Sequence, residues 1–106
     1  MTDKIVALST CGSEEEARKV AKALVEARLA ACVNILPQIR SIYFWKDEVC
    51  DDPEQLLVIK TTRERYPDLE KRVTELHSYE VAEVIALPIV KGAPEYLSWL
   101  AGCCAE

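Results

Sequence analysis

Ala31-Cys32-Val33-Asn34-Ile35-Leu36-Pro37-Gln38-Ile39-Arg40-Ser41-Ile42-Tyr43-Phe44-Trp45 is rich in β-branched and aromatic residues and is broken once, by Pro37. Residues 31–36 read as a strand and residues 39–45 resume it. Ile39, Ser41, Tyr43 and Trp45 then share one side, and Arg40, Ile42 and Phe44 the other. Proline inside such a segment marks an edge position or a bulge, because it cannot donate to the ladder. Lys46-Asp47-Glu48 is a polar turn, Asp51-Asp52-Pro53 a further irregularity, and residues 56–61 form the returning strand. The product is a long hairpin with large apolar groups on both faces, of which a small domain covers only one. Such an arm invites aggregation unless another chain lies on it.

Working outward, residues 4–10 read as a short apolar strand. Ser13 with Glu16 three positions on is a capping box, and Ala17, Val20, Ala21, Leu24 and Val25 follow as an apolar helical stripe. Glu14–Arg18 and Glu15–Lys19 pair at i,i+4, and the acidic triplet 14–16 is read as a helix start suited to the dipole. On the far side of the hairpin, Pro67 opens a second helix with Tyr66, Leu69, Val73 and Leu76 as its stripe. His77-Ser78-Tyr79-Glu80-Val81-Ala82-Glu83 connects it to a fourth strand over residues 84–90. Gly92 and Pro94 introduce a last helix packed through Tyr96, Leu97, Trp99 and Leu100. The order predicts an α+β, ferredoxin-like βαββαβ domain with a long hairpin between its second and third strands and an extra C-terminal helix. At 106 residues, half of them apolar, the chain 1–106 is one domain with a single core.

Thirteen Lys and Arg stand against eighteen Asp and Glu, a net charge of −5. Nucleic-acid affinity is mostly cationic neutralisation, and anionic membrane surfaces also select basic patches, so neither partner is expected. The N-terminal apolar run 5–8 is too short for a signal-peptide core, and no stretch reaches membrane-span length. The expectation is a cytoplasmic protein. Five cysteines cannot all pair internally, and free thiols follow.

The single histidine, His77, starts every imidazole argument. Beside Tyr79, Glu80 and Glu83 it can serve a borderline divalent ion, or it can simply cap the end of the second helix. Cys11 precedes the Ser13 helix start, where the dipole is expected to lower its pKa. Cys32 reads as an inert core residue, and Cys103 and Cys104 as a fraying tail. No C-x-x-C spacing, Walker-type loop or Rossmann glycine pattern is present, so no enzyme signature emerges; a Cys11–His77 nucleophile and base pair lacks local support. Lys60, at a strand end, is read as a solvated edge charge.

Leu29-Ala30-Ala31-Cys32-Val33-Asn34 with Pro37, Ser41-Ile42-Tyr43-Phe44-Trp45, Ile59-Lys60-Thr61-Thr62, His77-Ser78-Tyr79 with Glu83, and Tyr96-Leu97-Ser98-Trp99 together resemble the CutA divalent-cation tolerance proteins, in order and spacing. The resemblance implies a homotrimer whose long strands extend the sheet of the next subunit. It also implies tolerance of divalent metals with copper, or another divalent metal, as a ligand not required for folding. Metal ligands are then expected at His77, Glu83 and Cys11, and an intersubunit cleft walled by Tyr43, Trp45, Lys60 and Tyr79. A small ligand in that cleft, as in the trimeric PII signalling proteins, and a purely structural trimer are the alternatives. The chain departs from the family at Ser78 and Ala82, where prolines are usual, at the hairpin tip, which lacks a glycine, and at Ser9. Some members carry a thiol at that last position, whereas here the thiol is Cys11, two residues later. Asp47 is expected to take the left-handed backbone that the missing tip glycine would supply.

Overall fold

A computed structural model describes residues 2–105. The elements are β1 (Lys4–Cys11), α1 (Glu14–Glu26), β2 (Cys32–Trp45), β3 (Glu48–Thr62), α2 (Tyr66–Leu76), β4 (Ile85–Pro88) and α3 (Pro94–Cys103). They build one four-stranded antiparallel sheet in the order β2-β3-β1-β4. This is the expected βαββαβ arrangement with its added helix.

α1 and α2 cover one face of the sheet. Ala17, Val20 and Leu24 from α1 and Leu69 and Val73 from α2 pack on Ala7, Cys11, Leu57 and Ile59 from β1 and β3, all fully buried. Alternation along β1 and β3 sends these side chains to the helical side. α1 starts where Ser13 Oγ accepts the Glu16 amide at 3.1 Å. It ends at Ala27, followed by Arg28 in left-handed backbone (φ 59°), so that the Leu29 amide closes on Leu24 O at 2.9 Å. α3 closes the domain through Leu100 and Cys104 against Ala31.

Two local expectations are corrected. Cys104 is not in a fraying tail: it is 4% exposed, its amide bonds Leu100 O at 3.2 Å, and its carbonyl accepts from Arg65 Nε at 2.8 Å. Cys32 is half-buried rather than a core residue, since its place opposite Lys60 lies out of step with the core-facing pair Val33 and Ile59. β4 is also shorter than the apolar run 84–90, with pairing to β1 confined to Ile85–Pro88.

β2 is an edge strand, and the register shift between Leu36 and Ile39 absorbs Pro37 and places Gln38 at φ 59°. Edge position and bulge therefore occur together. β3 runs unbroken through Asp51-Asp52-Pro53. Pro53 is tolerated because β1 stops opposite Gln55, which leaves that part of β3 with β2 as its only partner. From Ile39↔Glu54 to Trp45↔Glu48 the two strands run alone as an arm, about 23 Å long at the rise of a strand. Its tip is a two-residue turn, Lys46 (φ 51°) and Asp47 (φ 64°), the positive-φ pair that matches strand twist. Along the arm Ile42 is 69% exposed, Phe44 75% and Val49 67%. No helix among the described residues is long and apolar enough to cross a membrane.

Candidate functional site

The inner end of the site is assembled by three elements. β1 ends at Cys11, α1 presents Glu16 in its first turn, and α2 stops at His77, whose amide caps Val73 O at 2.9 Å. Cys11 Sγ, a Glu16 carboxylate oxygen and a His77 ring nitrogen all lie within 4.8 Å of one another. His77 is thus both the helix cap and a member of a polar cluster. Its Nε2 contacts Thr10 O at 2.6 Å, and a carbonyl only accepts, so the proton sits on Nε2. Nδ1 then carries the lone pair: it accepts the Tyr79 amide at 3.1 Å and lies 3.9 Å from Glu16 Oε1.

The sequence favours a capping role for Glu16 over a metal-binding one. Its amide does reach Ser13, but its carboxylate does not return to the cap. It turns across the domain, and Oε2 accepts the Ser78 amide at 3.2 Å. Oε1 is buried without a hydrogen-bond partner among the described residues. The same holds for Ser9 Oγ, two residues before Cys11, and for Gln55 Oε1, on the residue facing Cys11 in the β1–β3 register.

The thiol corrects an expectation. Cys11 is fully buried, and burial together with the negative field of Glu16 and Glu54 pushes its pKa up to about 12. The helix dipole does not lower it: Cys11 is the last residue of a strand facing the core, and Glu16 in the first turn of α1 opposes a thiolate. A protonated, enclosed thiol is a poor nucleophile.

Outward from this cluster runs a groove of about 760 Å³ between the arm and the loop after α2. Tyr43 and Trp45 line it from the arm, Tyr79, Glu80 and Glu83 from the loop, and Thr10 and Glu54 from its floor. The Tyr79 ring leans on His77 with centroids 4.6 Å apart, and its hydroxyl donates to Glu54 Oε2 at 2.7 Å. Gly12 makes room for this hydroxyl, because a Cβ there would stand 2.9 Å from it. Burial first, then the bond to Glu54, raises the Tyr79 pKa well above that of an ordinary phenol. On the arm, the bond from Tyr43 to Asp52 Oδ2 at 2.6 Å pushes the Tyr43 phenol up to about 12.

The residues expected to share a site therefore separate into groups. Cys11 and His77 meet in the inner cluster. Tyr43, Trp45, Tyr79 and Glu83 meet in the groove, and Glu83 is not one of the clustered ligand atoms. Lys60 belongs to neither: it pairs with Cys32 and Val6 in the sheet register and donates to Asn34 Oδ1. Glu54 was not legible as a site residue, because the acidic and proline-bearing run before it reads as a turn.

Comparison with known proteins bears on this arrangement. The family model for the CutA1 divalent ion tolerance protein matches residues 5–103. The divalent-cation tolerance protein CutA of Thermus thermophilus is 58% identical over 95 residues, which are 90% of this chain and 92% of that protein. Protein CutA of Mus musculus is 52% identical over 94 residues, covering 89% of this chain and 53% of the mouse protein, so the chain spans about half the mouse protein's length. The solved structure of the divalent cation tolerance protein from Thermus thermophilus has a TM-score of 0.94 at 54% identity, over 96% of this chain and 99% of that one. The family match runs from β1 into α3, and the chain belongs to the CutA1 divalent ion tolerance protein family.

Proposed function

We propose that this chain acts as a non-enzymatic homotrimer that takes up divalent cations, copper foremost, and serves metal tolerance through that uptake. The observation that carries the metal reading is the convergence of thiol, carboxylate and imidazole from β1, α1 and the end of α2. Mixed sulfur, nitrogen and oxygen donors suit copper or zinc better than calcium or magnesium. The His77 tautomer fits the same chemistry once an incoming ion displaces the Tyr79 amide from Nδ1. A ligating imidazole is normally held by its other N–H on a carbonyl or carboxylate, and here Nε2–H rests on Thr10 O with Nδ1 turned towards Glu16. The unpartnered Oε1 of Glu16 is an acceptor without a donor, which a cation would satisfy. Glu83 is the outer carboxylate of the approach, on the groove wall. In this reading the metal is cargo or signal rather than a folding requirement.

Trimerisation is supported by what one chain leaves uncovered. Ile42, Phe44 and Val49 on the arm, and Ile85 and Leu87 on β4, are all more than half exposed. Apolar surface of that extent usually marks an interface. The five cysteines are free, which suits a reducing, cytoplasmic setting. A second reading, ligand sensing by a PII-like trimer, is favoured by the groove, whose volume lies in the range of small-molecule sites.

The test is calorimetric titration of copper and zinc into the wild type, His77→Ala and Cys11→Ser, with the solution mass of each determined by sedimentation. Affinity should fall at least roughly tenfold in both variants while the mass is unchanged. Equal affinity and stoichiometry in all three proteins would refute the inner cluster as the metal site.

A further inference from the structure

The groove carries a chemistry that metal capture leaves unused. Its lining includes three aromatic rings, Tyr43, Trp45 and Tyr79, and three carboxylates, Glu54, Glu80 and Glu83, with no Lys, Arg or His among the lining residues. Glu54 is only 5% exposed and accepts from the neutral Tyr79 hydroxyl; no cationic side chain is paired with it among the described residues. A positively charged group is the natural complement of a buried carboxylate.

At the arm's tip the chain shows what such a surface holds. The Lys46 ammonium lies 5.7 Å from the centroid of the Trp45 ring and 3.8 Å from Glu80 Oε2. An alkylammonium is thus seated between an aromatic face and a carboxylate, where the ring quadrupole and the negative charge both attract it. Glu54 offers the same pairing deeper in, beside Tyr79, with no ammonium among the described residues to fill it. We propose that the groove binds a small alkylammonium molecule, with its charged head against Glu54 and its aliphatic chain along Tyr43, Trp45 and Tyr79. This deepens the ligand-sensing side of the proposed function and rests on the same groove. It needs neither the metal cluster nor a bound ion.

The probe is 1,4-diaminobutane, with uncharged 1,4-butanediol as its control, titrated into the wild type, Glu54→Gln and Trp45→Leu by calorimetry and tryptophan fluorescence. Saturable diamine binding is expected, with the diol at least about tenfold weaker, a difference of roughly 1.4 kcal/mol. Glu54→Gln, which keeps an acceptor for Tyr79, should weaken the diamine about tenfold, and Trp45→Leu should abolish the fluorescence change. Absence of saturable binding, equal binding of the diol, or an unchanged affinity in Glu54→Gln would each overturn the proposal. Because the diamine and diol comparison is made on the wild type, it holds even where a variant misfolds. A blocked single-lysine peptide binding more tightly than the diamine would overturn the small-molecule assignment in favour of a protein side chain. Loss of diamine binding in wild-type protein that still takes up copper would remove this inference alone.

Discussion

At the proposed metal site, Cys11 would tie capture to pH. Its thiol keeps a proton up to about pH 12 in the folded chain, so an incoming divalent ion must expel that proton. Apparent copper affinity should therefore rise about tenfold per pH unit between pH 6 and 8, measured by competition with a chelator of known pH behaviour. Cys11→Ser should flatten that slope. Folding stability has the opposite sign. The folded-state pKa lies above the unfolded value of 9.0, so the contribution is complete below about pH 9 and is lost as pH rises towards 12. Cys11→Ala should accordingly lose less melting temperature than the wild type between pH 8 and 10.5, by calorimetry. The reversal of the expected Cys11 shift shows what a sequence withholds at this scale. The dipole of α1 was visible from Ser13 and the glutamates after it. That Cys11 would face the core, with Glu16 and Glu54 turned towards it, depends on contacts the chain makes only when folded. Glu16 was hidden for a different reason: its capping position already gave it a sufficient local purpose.

Among the elements, the helices were legible because their signals are local. The Ser13 cap, the stripe from Ala17 to Leu24 and Pro67 at the second helix start all appear where the periodicity puts them. β3 was cut short in the sequence because Asp51, Asp52 and Pro53 are turn-formers. They are tolerated as strand only because β1 ends opposite Gln55, and pairing partners are non-local information. The arm's turn carries a quantitative expectation. Lys46 and Asp47 both occupy left-handed backbone, which costs a side-chain-bearing residue roughly 1–2 kcal/mol less any local relief. Replacing them with Asn-Gly should raise stability by about 1 kcal/mol in urea unfolding without altering the m-value. A second expectation concerns the join between α1 and the loop after α2. The Ser78 amide is held by Glu16 alone among the bonds described, in a loop without the family's usual prolines. Glu16→Ala should speed amide exchange at Ser78 severalfold while amides in β1 and β3 keep their protection. Equal acceleration throughout would mean that the substitution acts on global stability instead.

At the scale of the whole molecule, the dominant feature is an arm too long for its own core. The radius of gyration is 14.2 Å, against about 13 Å for a compact globule of this length, and the longest extent is 44 Å against 25 and 22 Å. Folding has therefore spent apolar side chains where one chain gains little from them: Ile42 and Phe44 side by side on the arm, with Val49 opposite Phe44, remain mostly exposed. Each would contribute roughly 1.5–3 kcal/mol if fully buried against another surface, so in the proposed trimer three copies of the arm would supply a large part of the assembly's free energy. The sequence showed this through the apolar character of both strand faces, which needs no knowledge of the partner. The partner's register, and hence which residues border the groove in the assembly, cannot be read from one chain's pattern. Substituting Ile42 and Phe44 together by Asp should split the assembly while leaving the core intact, since neither side chain belongs to the core cluster. Sedimentation should then give one 11.9 kDa subunit, where the proposed trimer predicts three times that mass for the wild type. The wild type's melting temperature should rise with protein concentration and the variant's should not, because only a folded state that associates is stabilised by mass action. A wild type that sediments as the single subunit and melts independently of concentration would sink the trimer, while the inner cluster, built within one chain, would still face its own test.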